Sequence, residues 1–295
     1  MFRYLPIALM LASTAPAAAR VGPEIAYSTS TEVYLVNPDG TGKVRLYRSK
    51  SNDFISSVAL KPGGGALAIV ENWALKFISY DAQGRIQGTV RAVKPTCYRL
   101  ADVSYSADGN SVLYREVCPN GAVVKQVAVP TAAAPNPVPQ TLFSNAALQD
   151  LGPWEAGGTS FLYTTIAVDH MELRRHFTDG SPDPADPIAV SNPSTDQIRY
   201  ADASPDGSKI LISDSPKDAA AYPSPGFTSE IDAVTGSVIR SNVTGRDANY
   251  APDSVRFVFI VANSYNDQYL RYLDSTNQVK QIAGRAHYSS VDWGD

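Results

Sequence analysis

Apolar residues come in short runs rich in β-branched and aromatic side chains, each closed off by Gly, Asp, Asn or Pro. Val112–Tyr114, Phe161–Tyr163, Ile210–Ile212, Phe257–Phe259 and Leu67–Ile69 are the clearest of these runs. Each follows a related turn phrase: Tyr105–Gly109, Trp154–Gly158, Ala203–Gly207, Tyr250–Ser254 and Leu60–Gly64. The last turn residues fall at 64, 109, 158, 207 and 254, so the intervals are 45, 49, 49 and 47 residues. A tight turn between two β-rich runs, returning at that period, predicts the blades of a β-propeller. Beyond the first residues no segment sustains a 3.6-residue apolar period, so helices are not expected.

Within one period four strands are expected. In the second full unit they are Leu100–Tyr105, Ser111–Val117, Val123–Val129 and Gln140–Phe143. A second turn recurs before the last strand, at Asp81–Gly84, Thr178–Gly180, Asp232–Gly236 and Asp274–Asn277, where Gly or Asn supplies the positive-φ position. The two ends complement each other. Residues 25–47 supply the second, third and fourth strands of a unit, and Tyr288–Asp295 supplies a first strand. Together they make one shared blade that closes the ring, giving six blades and no open sheet edge. Residues 20–295 therefore read as a single all-β propeller domain.

Before it, Met1–Arg3, the apolar run Tyr4–Ala12 and Ala17–Ala19 read as a signal peptide over 1–19, exporting a soluble protein to the periplasm. No apolar stretch is long enough to span a bilayer. A net charge of −4 with only 25 Lys and Arg argues against nucleic acid as a partner. An oxidising compartment gives the two cysteines meaning. Cys97 and Cys118 stand symmetrically about the turn Ser106–Gly109, so a hairpin folded there sets them opposite each other, within disulfide reach. Free thiols or a two-ligand metal pair are the alternatives.

The phrase Ser204–Gly207 with Ile210–Ile212, and the upstream segment Glu32–Gly42, resemble the WD40-like repeat of the TolB propeller family across residues 25–295. That resemblance implies a periplasmic six-bladed propeller that binds an outer-membrane lipoprotein. It also implies an N-terminal α/β domain, which the few residues between Arg20 and the first strand leave no room for. The same repeat occurs in oligosaccharide lyases and prolyl peptidase propellers, so it marks a fold and not a reaction.

Candidate chemistry is sparse. Asp102, Asp150, Asp202, Asp247 and Asp292 lie on or just before the innermost strands of five blades, with Ser57 in the sixth. Converging on a channel, they would attract a divalent cation or a basic peptide; otherwise they satisfy backbone N–H groups. Apart from such a cation, no cofactor is expected. Arg91, Arg99, Arg199, Arg246 and Arg285 gather at the same loops, to pair with those aspartates or to receive carboxylates. Trp73, Tyr222, Phe227 and Tyr265 are expected to be exposed, Trp154 and Trp293 to pack. His170, Glu172, Arg174 and His176 share one face of an outer strand, a solvated face in preference to a metal site. Two long loops break the period: the Pro-rich 130–139 and Asp214–Phe227, on opposite faces, the latter beside the channel mouth. No nucleophile elbow or phosphate loop is present. The expectation is a monomeric, non-catalytic propeller that binds an envelope protein or peptide. The alternative is a polysaccharide-active enzyme or sugar-binding protein using the acidic mouth.

Overall fold

A computed structural model describes residues 24–88, 91–179, 181–191, 196–216, 226–264 and 267–294. The expected signal peptide, most of the loop after Asp214, Tyr222 and Tyr265 lie outside the described residues.

Among the described residues, twenty-four strands form six four-stranded antiparallel sheets. From the channel outward, blade 2 is β4 (Ile55–Leu60), β5 (Ala66–Glu71), β6 (Ala74–Ser79) and β7 (Arg91–Val93). Blade 3 is β8 (Arg99–Tyr105), β9 (Ser111–Cys118), β10 (Gly121–Ala128) and β11 (Gln140–Asn145). Blade 4 is β12 (Leu148–Trp154), β13 (Ser160–Ile166), β14 (Met171–Phe177) and β15 (Ala189–Val190). Blade 5 is β16 (Asp196–Ala203), β17 (Lys209–Pro216), β18 (Phe227–Asp232) and β19 (Val238–Thr244). Blade 6 is β20 (Arg246–Tyr250), β21 (Phe257–Ser264), β22 (Asp267–Leu273) and β23 (Val279–Ala286). Blade 1 joins the termini: β24 (Tyr288–Gly294) is innermost, followed by β1 (Glu24–Thr29), β2 (Glu32–Val36) and β3 (Val44–Arg48). The ring closes where Ile25 faces Trp293 and Tyr27 faces Val291.

Alternation along each strand sends apolar side chains to both sheet faces, and adjacent blades bury them against each other. Six apolar clusters result, one per blade interface, from Ile25, Val258 and Trp293 between blades 6 and 1 to Leu211, Tyr250 and Phe257 between blades 5 and 6. Trp154 and Trp293 are both in these cores. The recurrent turn owes its shape to an Asx cap. Asp206 Oδ1 accepts the Ser204 hydroxyl at 2.7 Å and the Ser208 N–H at 2.9 Å, while Gly207 takes φ +73°. Blade 6 places Ser254 at the same point, at φ +58°; its hydroxyl accepts the Asp206 N–H of the neighbouring blade at 3.0 Å, an inter-blade contact that a glycine would lose.

Cys97 and Cys118 form a disulfide, with Cα atoms 5.0 Å apart. The face on which the innermost strands begin is called the upper face below. It carries this disulfide and the ends of the 214–227 loop, where Asp214 pairs with Phe227. The Pro-rich 130–139 loop is mostly exposed and lies on the lower face.

Candidate functional site

A cavity of about 540 Å³ runs along the propeller axis. Its upper rim owes its chemistry to a repeated irregularity. Near its upper end each innermost strand carries one extra residue where it pairs with the next strand, and these residues are Ser56, Asp102, Gln149, Arg199, Asp247 and Ser289; β12 has a second irregularity lower down, at Gly152 and Pro153. A bulge leaves its extra residue unpaired and re-aims the side chain. Asp102 and Asp247 adopt left-handed backbone at φ +47° and +51°, a region that Asp tolerates better than most residues. All of the six but Gln149 line the cavity.

The five sequence-predicted aspartates occupy two levels. On the upper level, Arg115 of β9 reaches inward from the second strand of blade 3. Its Nε donates to Asp102 at 2.6 Å and its Nη2 to Asp150 at 3.1 Å, tying blade 3 to blade 4. Asp102 also accepts the Leu151 N–H at 3.0 Å. Burial pushes the Asp150 carboxyl up to about 7, with the Asp102 charge adding to the rise and Arg115 and Arg199 opposing it. Burial alone would lower the Arg115 guanidinium, but the two carboxylates outweigh it and hold the charge. Arg246 pairs with Asp247 beside it.

On the lower level, Asp202 and Asp292 do structural work between blades. Asp202 accepts the Tyr250 N–H at 2.7 Å; Asp292 accepts the Leu60 N–H at 2.5 Å and the Trp293 N–H at 3.0 Å. Asn249 and Ser104 occupy the matching position in their blades and accept from Trp293 and Trp154. Four of the six blades thus pass a side-chain acceptor to the next blade's backbone. Burial raises both carboxyls, Asp292 to about 6 and Asp202 well above its ordinary range, with Asp292 adding to the latter. Tyr200 shares this level, its hydroxyl accepting from Asn249 Nδ2 at 3.4 Å.

The predicted arginines part company. Arg246 joins the rim, Arg199 is exposed at it, and Arg285 pairs with Asp267 at 3.0 Å on the outer edge. Arg99 stacks over the Trp73 ring at 5.2 Å and takes no part in the aspartate network. The histidines stay apart: His170 bridges Asp169 and Glu172, whereas His176 binds Asp183 at 2.8 Å and packs on Phe143. Among the described residues no cluster of three or more His, Cys, Asp or Glu has metal-holding geometry.

Sequence reasoning missed Arg115, Asn249 and Ser104, which look like ordinary strand residues until pairing is known. Of the aromatics expected to be exposed, Trp73 and Phe227 are; Phe54 and Tyr98 were not singled out. Among the described residues, four aromatic side chains are exposed: Phe54 (44%), Trp73 (40%), Tyr98 (69%) and Phe227 (40%). All four lie on the upper face. Asn72 and Trp73 form a two-residue hairpin turn at φ +46° and +64°, where the second position favours glycine. Holding Trp there costs on the order of 1 kcal/mol.

By sequence the chain matches no family profile and no curated protein. By structure it is similar to TolB from Acinetobacter baumannii, with a TM-score of 0.67 and 17% identity over 92% of this chain and 66% of that one. The fold is a TolB-like propeller. It is equally similar to a chain of a nidogen/laminin complex, with a TM-score of 0.68 and 8% identity over 93% of this chain and 99% of that one. Puromycin hydrolase matches with a TM-score of 0.52 and 15% identity, over 91% of this chain and 48% of the hydrolase. The chain thus spans about two thirds of TolB and about half of the hydrolase, and at these identities the likeness is one of fold.

Proposed function

We propose that this chain is an exported, non-catalytic propeller that engages an envelope protein or peptide with its upper face. The observation carrying this reading is the gathering on that face of all four exposed aromatics among the described residues. Exposed aromatics beside arginines are the usual furniture of protein-binding surfaces. The channel's charged groups are largely committed: Asp102 and Asp150 to Arg115, Asp247 to Arg246, Asp202 and Asp292 to neighbouring backbones. A general acid or base needs a group poised for a substrate and not already spent on structure. The disulfide fits an oxidising compartment.

One observation favours the alternative, a polysaccharide-active or sugar-binding channel: Asp150, raised to about 7, sits in a cavity large enough for a small sugar. In-cell crosslinking of the tagged chain followed by mass spectrometry separates the two. A binding propeller captures one dominant envelope protein, and shortening the loop between Asp214 and Phe227 weakens that capture. No capture, with sugar turnover abolished by Asp150→Asn in a folded variant, moves the assignment to the channel.

A further inference from the structure

The upper face is not uniform. Phe54, Trp73 and Tyr98 lie in blade 2 and at the start of blade 3, joined through the backbone. The Asn72 N–H donates to the Phe54 carbonyl at 2.9 Å, and the Leu100 N–H to the Trp73 carbonyl at 3.2 Å. Tyr98 stands next to the Cys97–Cys118 disulfide, which anchors its loop to the end of β9. The three rings therefore share one support.

Their charged surroundings are basic on a chain whose net charge is −4. Arg99 stacks on Trp73; Lys94 follows Val93, the partner of Leu75, and so flanks the same turn from the other side. Lys50 stands in the loop leading to Phe54. All three are exposed, and none makes an ion pair among the described residues. The nearby carboxylates are largely taken. Glu71 is buried between Lys76 and the Tyr47 hydroxyl, and Glu116 between Lys125 and the Thr96 and Cys97 amides. Glu32 pairs with Arg45, and also with Arg48 at 3.8 Å. That leaves half-buried Asp53 against three cations. An arginine stacked on an aromatic ring keeps its in-plane N–H donors for a carboxylate, and apolar ring faces beside it exclude water from that contact.

We propose that the Trp73 patch (Phe54, Trp73 and Tyr98 with Lys50, Lys94 and Arg99) docks an acidic segment of a protein partner. This rests on the reading of the chain as a protein-binding propeller and names the place and the chemistry of the contact. The backbone at Trp73 supports it independently. A turn that would accept glycine without strain instead holds a large indole at φ +64° and 40% exposed, so the ring is kept at a cost to the fold.

The test places a photo-reactive residue at Tyr98 or at Phe227 in the exported full-length chain, crosslinks in cells, and sequences the captured peptide. The Tyr98 position should capture a segment of net negative charge. The combined Lys50→Glu, Lys94→Glu and Arg99→Glu variant should lower its yield at least tenfold, with the melting temperature unchanged. Trp73→Gly relieves the left-handed backbone, so it should melt at the same or a higher temperature while losing capture by a similar factor. Capture of a neutral or basic segment, capture of an acidic glycan, or yields indifferent to both variants would overturn the proposal. Capture from Phe227 but not from Tyr98 would overturn it while leaving the propeller a protein binder. Capture from neither would sink both.

Discussion

Replacing Asp150 by Asn should stabilise the protein at alkaline pH and leave it nearly unchanged in acid. The folded-state carboxyl is raised from 3.8 to about 7 because it is buried beside Asp102. A group raised in this way contributes stability that is complete below about pH 4 and is lost as pH climbs through about 7. At full burial a displacement of that size corresponds to about 4 kcal/mol. The Asp150 side chain is still 27% accessible to the channel, which reduces the effect to about 2 kcal/mol. An asparagine keeps the Oδ1 acceptor for the Arg115 contact at 3.1 Å and removes only the charge. For a domain of this size about 2 kcal/mol corresponds to a melting temperature about 3–4 °C higher. The assay is thermal unfolding of both proteins from pH 4 to pH 8. The predicted curves coincide at pH 4 and separate progressively, the variant on top at pH 8. A variant less stable than wild type at pH 8, or a difference independent of pH, would refute the reasoning; the Arg115 ion pair would then outweigh burial.

Three further outcomes follow from the same geometry. Arg115→Met strands two carboxylates at the rim and should cost about 3 kcal/mol at pH 8, less at pH 5, read by urea unfolding at both values. Reducing the disulfide, or replacing Cys97 and Cys118 by Ala, should lower stability by about 3 kcal/mol while preserving the β-sheet circular dichroism. Deleting 288–295 removes β24 with Val291 and Trp293, leaves β1 an open edge and exposes the Ile25, Tyr27 and Val258 side of their cluster. The product should aggregate, which light scattering at room temperature reports; a soluble monomer would show that the ring does not depend on its shared blade.

The architecture was legible because its signals are local. Ser204–Gly207 writes its turn in four residues, and the shared blade follows from counting strands at each end. The disulfide was legible because a hairpin maps distance from its turn onto cross-strand position. The bulge at Asp102 shifts the register by one residue, and with Arg99 facing Val117 the two cysteines stand one residue off directly opposite, still within bridging distance. The site was less legible for the same reason. A bulge is an extra residue relative to a partner strand, so nothing in the sequence around Asp102, Arg199 or Asp247 marks it. The five aspartates consequently read as one acidic mouth, whereas pairing sorts them into a rim held by Arg115 and Arg246 and an inner level bound to backbone amides. Arg115 itself alternates within β9 like any strand residue. Trp73 was recognisable as an exposed aromatic, but its left-handed backbone and the stacked Arg99 emerge only from the folded turn.

The most direct test of the account is a comparison of the two faces. A photo-reactive residue is placed in turn at Phe54, Trp73 and Phe227 on the upper face and at Val138, Val234 and Val255 on the lower face, and crosslinked products in cells are counted. The account predicts one recurrent protein partner from the upper positions and background from the lower ones. Equal yields from both faces, or a partner captured only from below, would contradict it.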